Sequence, residues 1–215
     1  MSVKLQVALD FLELESALGL LAKVNTFADI IEIGTPSVIR YGLEAVRRIK
    51  QNYAAKLLLA DLKIMDAGEG EARLGFEAGA SIVTVMGVAH DETIEGAVRA
   101  ARKFGGRIMA DLMSVPSPAL RAQELEKLGC DILCVHTATD AHHSGGRALE
   151  SVRLLRSELS KALIAVAGGI DLSSAATACE SGADILVVGS GIVKAEDPCE
   201  AARAFHNICA GWARR

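Results

Sequence analysis

The feature that most constrains this chain is a short apolar run that recurs eight times at nearly even intervals. The runs are Leu5–Asp10, Ile30–Gly34, Leu57–Lys63, Ile82–Gly87, Ile108–Met113, Ile132–His136, Leu163–Gly169 and Ile185–Ser190. They are continuous rather than alternating, the pattern of parallel strands buried on both faces. The 215 residues divide into eight units of about 27 residues, enough for a short strand, a helix and two turns. Between the runs the spacing is helical. Leu14, Ala17, Leu18, Leu21 and Val24 fall at i, i+3, i+4, i+7 and i+10, and Ile94, Ala97, Val98 and Ala101 repeat the start of that pattern. A further helix carries Leu120, Leu125 and Leu128 and stops at Gly129, a residue type that closes helices in the left-handed conformation. Three helix-to-strand joints read alike: Ala78-Gly79-Ala80-Ser81, Leu128-Gly129-Cys130-Asp131 and Ser181-Gly182-Ala183-Asp184. They predict a repeated structural turn, not a binding loop.

Eight even units of strand and helix predict an α/β chain with one domain over residues 1–215, a single (β/α)8 TIM barrel. A doubly wound open sheet shares the alternation, but the even unit size favours closure. Composition removes several other classes. At 51% hydrophobic and 23% charged residues the chain is not disordered. Its 23 Lys and Arg against 27 Asp and Glu leave a net charge of −4, with no general attraction for nucleic acid or an anionic membrane. Aromatics, at 4%, leave little for base stacking. No apolar run approaches the length of a membrane span. Asp10, Glu13 and Glu15 interrupt any signal-peptide core near the N-terminus. Five cysteines without a C-x-x-C pair read as reduced, buried thiols of a cytoplasmic protein.

A barrel gathers its strand C-termini at one mouth, and the residues there carry the chemistry. Asp10, Glu32, Asp61, Lys63, Asp111 and His136 end or nearly end strands one, two, three, five and six. A lone acid at such a position is often a helix cap. A shared rim of carboxylates and an imidazole instead asks for a cation, because like charges crowded together are costly. Asp61 and Lys63, two apart on a strand, should share a face. Glu32 and Asp61 on neighbouring strands suit Mg2+, with ligand oxygens completing its sphere; one rim histidine is too few for zinc. Gly168-Gly169 and Gly189-Ser190-Gly191 follow strands seven and eight, where barrels commonly hold phosphate. His136 ends strand six beside the expected metal, and an imidazole there suits proton abstraction. His142 and His143 read as solvated loop residues, and His90 and His206 carry no argument.

Asp61-Leu62-Lys63-Ile64-Met65-Asp66 resembles the D-x-K-x-x-D motif of the orotidine 5′-monophosphate decarboxylase superfamily. Leu5-Gln6-Val7-Ala8-Leu9-Asp10, Asp29 to Pro36 and Ala165 to Gly169 resemble its metal-dependent branch, which holds 3-hexulose-6-phosphate synthases and 3-keto-L-gulonate-6-phosphate decarboxylases. The resemblance spans essentially the whole chain. It implies Mg2+ held by Glu32 and Asp61, and substrate contacts from Asp10 and Lys63. It implies phosphate binding at Gly168, Gly169, Gly189 and Ser190, a further substrate contact at Ala167, and acid/base work by His136 with Asp111 orienting it or a water. It also implies a homodimer in which Asp66 reaches the neighbouring subunit's site. Both branch reactions pass through an enediolate. The synthase forms it by removing a C1 proton from D-ribulose 5-phosphate and adds formaldehyde; the decarboxylase forms it by losing CO2. The decarboxylase pattern has a glutamate at the position of Asp111, an arginine at that of Thr139 and often an arginine at that of Ser190. This chain therefore resembles the synthase side, a lyase of formaldehyde fixation in the ribulose monophosphate pathway, with a sugar-phosphate isomerase as a pathway partner. The decarboxylase is the alternative. A non-catalytic phosphosugar-binding protein is more remote, since it would have lost part of the intact Glu32, Asp61 and Lys63 set.

Overall fold

Each of the eight apolar runs forms a strand, and the strands pair in sequence order until the last meets the first. The computed structural model describes residues 2–10, 13–138, 140 and 145–212; Thr139, His142 and His143 lie outside the described residues. The strands are β1 (Lys4–Leu9), β2 (Ile30–Ile33), β3 (Leu57–Ile64), β4 (Ile82–Met86), β5 (Arg107–Asp111), β6 (Ile132–His136), β7 (Leu163–Ala167) and β8 (Ile185–Val188). All neighbours are parallel, and β8 pairs with β1, so the sheet is a closed barrel. Helices α1 (Leu14–Val24), α2 (Thr35–Tyr41), α3 (Glu44–Asn52), α4 (Gly68–Glu77), α5 (Asp91–Phe104), α6 (Pro118–Leu128), α7 (Gly145–Glu158), α8 (Leu172–Glu180), α9 (Ser190–Val193) and α10 (Pro198–Gly211) connect and cover them. The chain is a (β/α)8 TIM barrel.

The strand sequences are continuous because both of their faces are buried. One set of side chains, including Ile30, Leu59, Ile82, Met109, Ile132, Cys134, Ala165 and Ile185, fills the barrel interior. The alternate set, including Val7, Ile31, Leu58, Val83, Ile108, Leu133, Ile164 and Leu186, packs outward against the helices. The five cysteines are free thiols, and all but Cys199 are buried. Among the described residues no helix is long and apolar enough to cross a membrane.

The three similar joints form the same turn. Gly79, Gly129 and Gly182 have φ of 104°, 101° and 103°. Each donates its N–H to the carbonyl three residues back, and the next residue donates to the carbonyl five back. This is the Schellman closure that a glycine at positive φ permits. The residues that open the following strands tie the barrel floor. The carboxylates of Asp29, Asp131 and Asp184 accept the N–H groups of Leu5, Ile108 and Ile164 on the preceding strands at 2.8–2.9 Å. These polar residues sit at the end opposite the mouth and serve the fold.

Two departures from the even repeat occur. The β2–β3 connection holds two helices, broken at Gly42 with φ 59°. After β8 the chain enters α9 directly at Ser190, before α10 covers the barrel. Strands β5, β7 and β8 also stop short of the apolar runs that announce them. In β7 the reason is local: Gly168, at φ 92°, turns the chain beside Thr137, whose carbonyl oxygen would lie 2.1 Å from any Cβ there.

Candidate active site

Parallel strands in register bring the polar strand ends to one place. Glu32, Asp61, Lys63, Asp111, His136 and Ala167 line a single pocket at the C-terminal mouth. The pocket encloses about 20 Å3, room for roughly one water. Asp10 sits at the rim, where β1, β2 and β8 end together. A Cβ on Gly34 would lie 1.8 Å from Asp10 Oδ1, and one on Gly189 would lie 3.4 Å from Oδ2. Glycine at 34 therefore makes room for that carboxylate.

Lys63 is the hub. Its ammonium lies 2.9 Å from Asp61 Oδ2 and 3.0 Å from Asp111 Oδ2. The expected shared face of Asp61 and Lys63 is realised, but not by regular pleating. The β3–β4 register shifts between Ala60 and Ile64, and Lys63 adopts φ 46°, a strained conformation for a residue with a Cβ. Thr84 on β4 holds it there: its hydroxyl accepts the Lys63 N–H at 2.9 Å and donates to Asp61 Oδ1 at 2.7 Å. Thr35, at the start of α2, donates to Asp61 Oδ2 at 2.7 Å. Asp111 Oδ2 also meets His136 Nδ1 at 2.7 Å, while its Oδ1 accepts the Met113 N–H.

The charges are set by these contacts. Burial works against the Lys63 ammonium, but the carboxylates of Asp61 and Asp111 outweigh it and raise its pKa above the usual lysine value. Burial would raise Asp111; the His136 hydrogen bond and the charges of His136 and Lys63 reverse that and hold it below the carboxylate range. Asp10 is raised, by burial first and then by Asp61. Glu32, buried beside Asp61 and Asp10, is pushed up to about 8, with burial the largest cause and the Gln6 hydrogen bond opposing it.

Glu32 and Asp61 are the residues that could hold a metal. Four carboxylates gather around one ammonium, and Glu32 shows the resulting stress on its ionised form. Two hard oxygen donors on adjacent strands fit a cation such as Mg2+, which keeps water or substrate oxygens in its remaining positions. Among the described residues no cluster of three or more His, Cys, Asp or Glu offers a closed cage, which is the arrangement a structural zinc would need.

The remaining expected residues are placed as follows. Gly168 and Gly169 have φ of 92° and 70° and follow β7. Gly189 caps α9, and Ser190 begins it. Asp66 is exposed on the β3–α4 loop, its Oδ1 accepting the N–H of Ala67 at 2.7 Å, and it does not line its own chain's pocket. Gln6, Thr35 and Thr84 belong to the site and were not singled out from the sequence. Gln6 and Thr84 carried a signal, each being a polar residue inside an apolar run.

A sequence model of the orotidine 5′-phosphate decarboxylase / HUMPS family matches residues 3–205. A protein of Staphylococcus saprophyticus named 3-hexulose-6-phosphate synthase 2 is 42% identical over 206 residues, covering 96% of this chain and 97% of its own. The crystal structure of 3-hexulose-6-phosphate synthase from Salmonella typhimurium superposes with a TM-score of 0.95 at 40% identity, covering 98% of this chain and 100% of that one. The structure of 3-keto-L-gulonate-6-phosphate decarboxylase from Vibrio cholerae superposes at 0.88 with 25% identity, covering both chains fully.

Proposed function

The chain belongs to the orotidine 5′-phosphate decarboxylase / HUMPS family of enzymes, and from that premise we propose that it is a cytoplasmic 3-hexulose-6-phosphate synthase. It joins formaldehyde to D-ribulose 5-phosphate, giving D-arabino-hex-3-ulose 6-phosphate. The observation that carries the reading is the chain of contacts Lys63–Asp111–His136. Asp111 is held ionised between two donors, so it accepts a hydrogen bond from the Nδ1–H of His136. Neutral His136 then has its lone pair on Nε2, the tautomer of a general base.

Nε2 takes the C1 proton of the sugar, and the electron pair of that C–H bond moves into the enediolate. Lys63 stands where the negative charge on the sugar oxygens grows, so it stabilises the transition state more than the ground state. The enediolate C1 attacks the formaldehyde carbon, a C–C bond forms, and the new alkoxide recovers the proton from the His136 imidazolium. Bound at Glu32 and Asp61, Mg2+ would supply Lewis-acid stabilisation of developing negative charge. Asp10 orients substrate hydroxyls at the rim. The backbone N–H groups of the glycine turns after β7 and β8, together with Ser190, hold the phosphate. Asp66, unused in its own pocket, acts in the site of the second subunit of a homodimer.

The assay offers the purified protein, with Mg2+, either ribulose 5-phosphate plus formaldehyde or 3-keto-L-gulonate 6-phosphate. The expected result is hexulose phosphate formation that chelation abolishes and Mg2+ restores. A higher kcat/KM for decarboxylation would overturn the reading in favour of the alternative activity, and full turnover after exhaustive chelation would overturn the metal assignment.

A further inference from the structure

Gln6 sits deeper in the barrel than any residue the mechanism uses. It lies two residues before Ala8 and four before Asp10 on β1, on the same inward face, with Ile30 and Val187 beside it in register. It is 1% exposed and lines the bottom of the site pocket, with apolar neighbours on β2 and β8 and the charged residues of the site above it. Its amide nitrogen donates to Glu32 Oε2 at 2.6 Å. Its own Oε1 is the buried side-chain polar atom that, among the described residues, has no hydrogen-bond partner. A buried carbonyl oxygen left unpaired lowers stability, and a side chain of similar shape without polar atoms would avoid that cost. A glutamine here is therefore a poor choice for the fold and needs a reason in the site.

The reason lies in Glu32. Its carboxylate is buried and faces Asp61 and Asp10, charges of its own sign. Left alone, it would turn away from them. An amide N–H donates a hydrogen bond whether or not the metal is present, and it brings no second cation to compete with the first. We propose that Gln6 is a positioning residue for Glu32. It fixes Oε2 at the barrel interior and leaves Oε1 as the oxygen that meets the divalent cation. The unpaired Gln6 oxygen is the acceptor that any carboxamide carries along with its donor. This inference rests on the reading of Glu32 as a metal ligand.

The test uses substrate-free protein and Mn2+ as the probe, with binding measured by calorimetry and by the spin-resonance signal of free Mn2+. Gln6→Met keeps the volume and removes the donor. It exchanges the unpaired Gln6 oxygen for an unpaired Glu32 oxygen, so it is expected to melt close to the wild-type temperature and to bind Mn2+ about 10- to 100-fold more weakly, the usual effect of losing an outer-shell partner. Saturating Mn2+ should then recover most of kcat, with KM for ribulose 5-phosphate near the wild-type value. Gln6→Met protein that binds Mn2+ like wild type, while Glu32→Gln does not, would overturn the role of Gln6 and leave the metal site standing. Wild-type Mn2+ binding by Glu32→Gln would overturn both. Melting of Gln6→Met well below wild type would make Gln6 a structural residue and also overturn the proposal.

Discussion

Neutral histidine has two tautomers, and at residue 136 the choice falls to Asp111, which accepts at Nδ1. His136→Asn should keep that hydrogen bond and lose the base. Exchange of the ribulose 5-phosphate C1 proton with solvent, followed by NMR, should fall about 10²- to 10⁴-fold, the range of a general base, with sugar-phosphate affinity little changed. Wild-type exchange would assign the proton to another group. Glu32 makes a second prediction, in the metal-free protein. Its folded pKa of about 8 lies above the ordinary 4.5, so between those values the folded state holds a proton that the unfolded state has lost. Its contribution to stability is therefore fully present below 4.5 and fades as pH rises to about 8. Metal-free Glu32→Gln should show a flatter melting temperature across that window than wild type, and identical pH profiles would refute the assignment. The charged members of the site were legible in the sequence because they end strands in a fold that gathers strand ends. Thr84 and Gln6 stand out only as polar residues inside apolar runs; their roles depend on which neighbour each side chain meets, and spacing along one strand does not reveal that.

Elements were legible where hydrophobic period sets them and obscure where backbone geometry does. The strands follow their apolar runs, and the three glycine joints form one repeated turn. The break between α2 and α3 and the short α9 escaped notice because they hang on individual dihedral angles, such as φ 59° at Gly42. Likewise, Lys63 reaches Asp61 through an irregular stretch of β3 and not through regular alternation. Glycines in α4 separate packing from propensity. A Cβ on Gly68 would lie 1.9 Å from the Thr93 carbonyl oxygen, whereas one on Gly70 meets nothing within 4 Å. Gly68→Ala would force α4 away from α5, and overpacking of roughly 1–3 kcal/mol should lower the melting temperature by roughly 2–12 °C in a chain of this size. Gly70→Ala should raise stability by about 0.5–1 kcal/mol, since alanine loses less backbone freedom on entering a helix. Calorimetry on the pair checks both signs; equal shifts would mean that α4 and α5 are not in close backbone contact.

At the scale of the whole molecule, the barrel places Asp66 outside the lining of its own pocket. It lies past the end of β3, exposed, with its carboxylate on its own loop, and the neighbouring Met65 leaves half of its surface uncovered. An acid facing outward beside an uncovered apolar side chain at the rim is what a composite site between two copies of the chain would present. A two-fold pair then has two equivalent sites, each built from Asp10, Glu32, Asp61, Lys63 and His136 of one subunit and Asp66 of the other. Asp66→Ala and Asp10→Ala homodimers should each be nearly inactive, because every site lacks one group. Mixed and allowed to exchange, they should form heterodimers with one site missing both groups and one site intact. Random exchange makes about half of the dimers mixed, so roughly a quarter of all sites should work. Activity recovered to near that level places Asp66 in the partner's site. If mass spectrometry shows complete exchange and activity stays at the level of the parents, Asp66 works within its own chain and the shared-site arrangement fails.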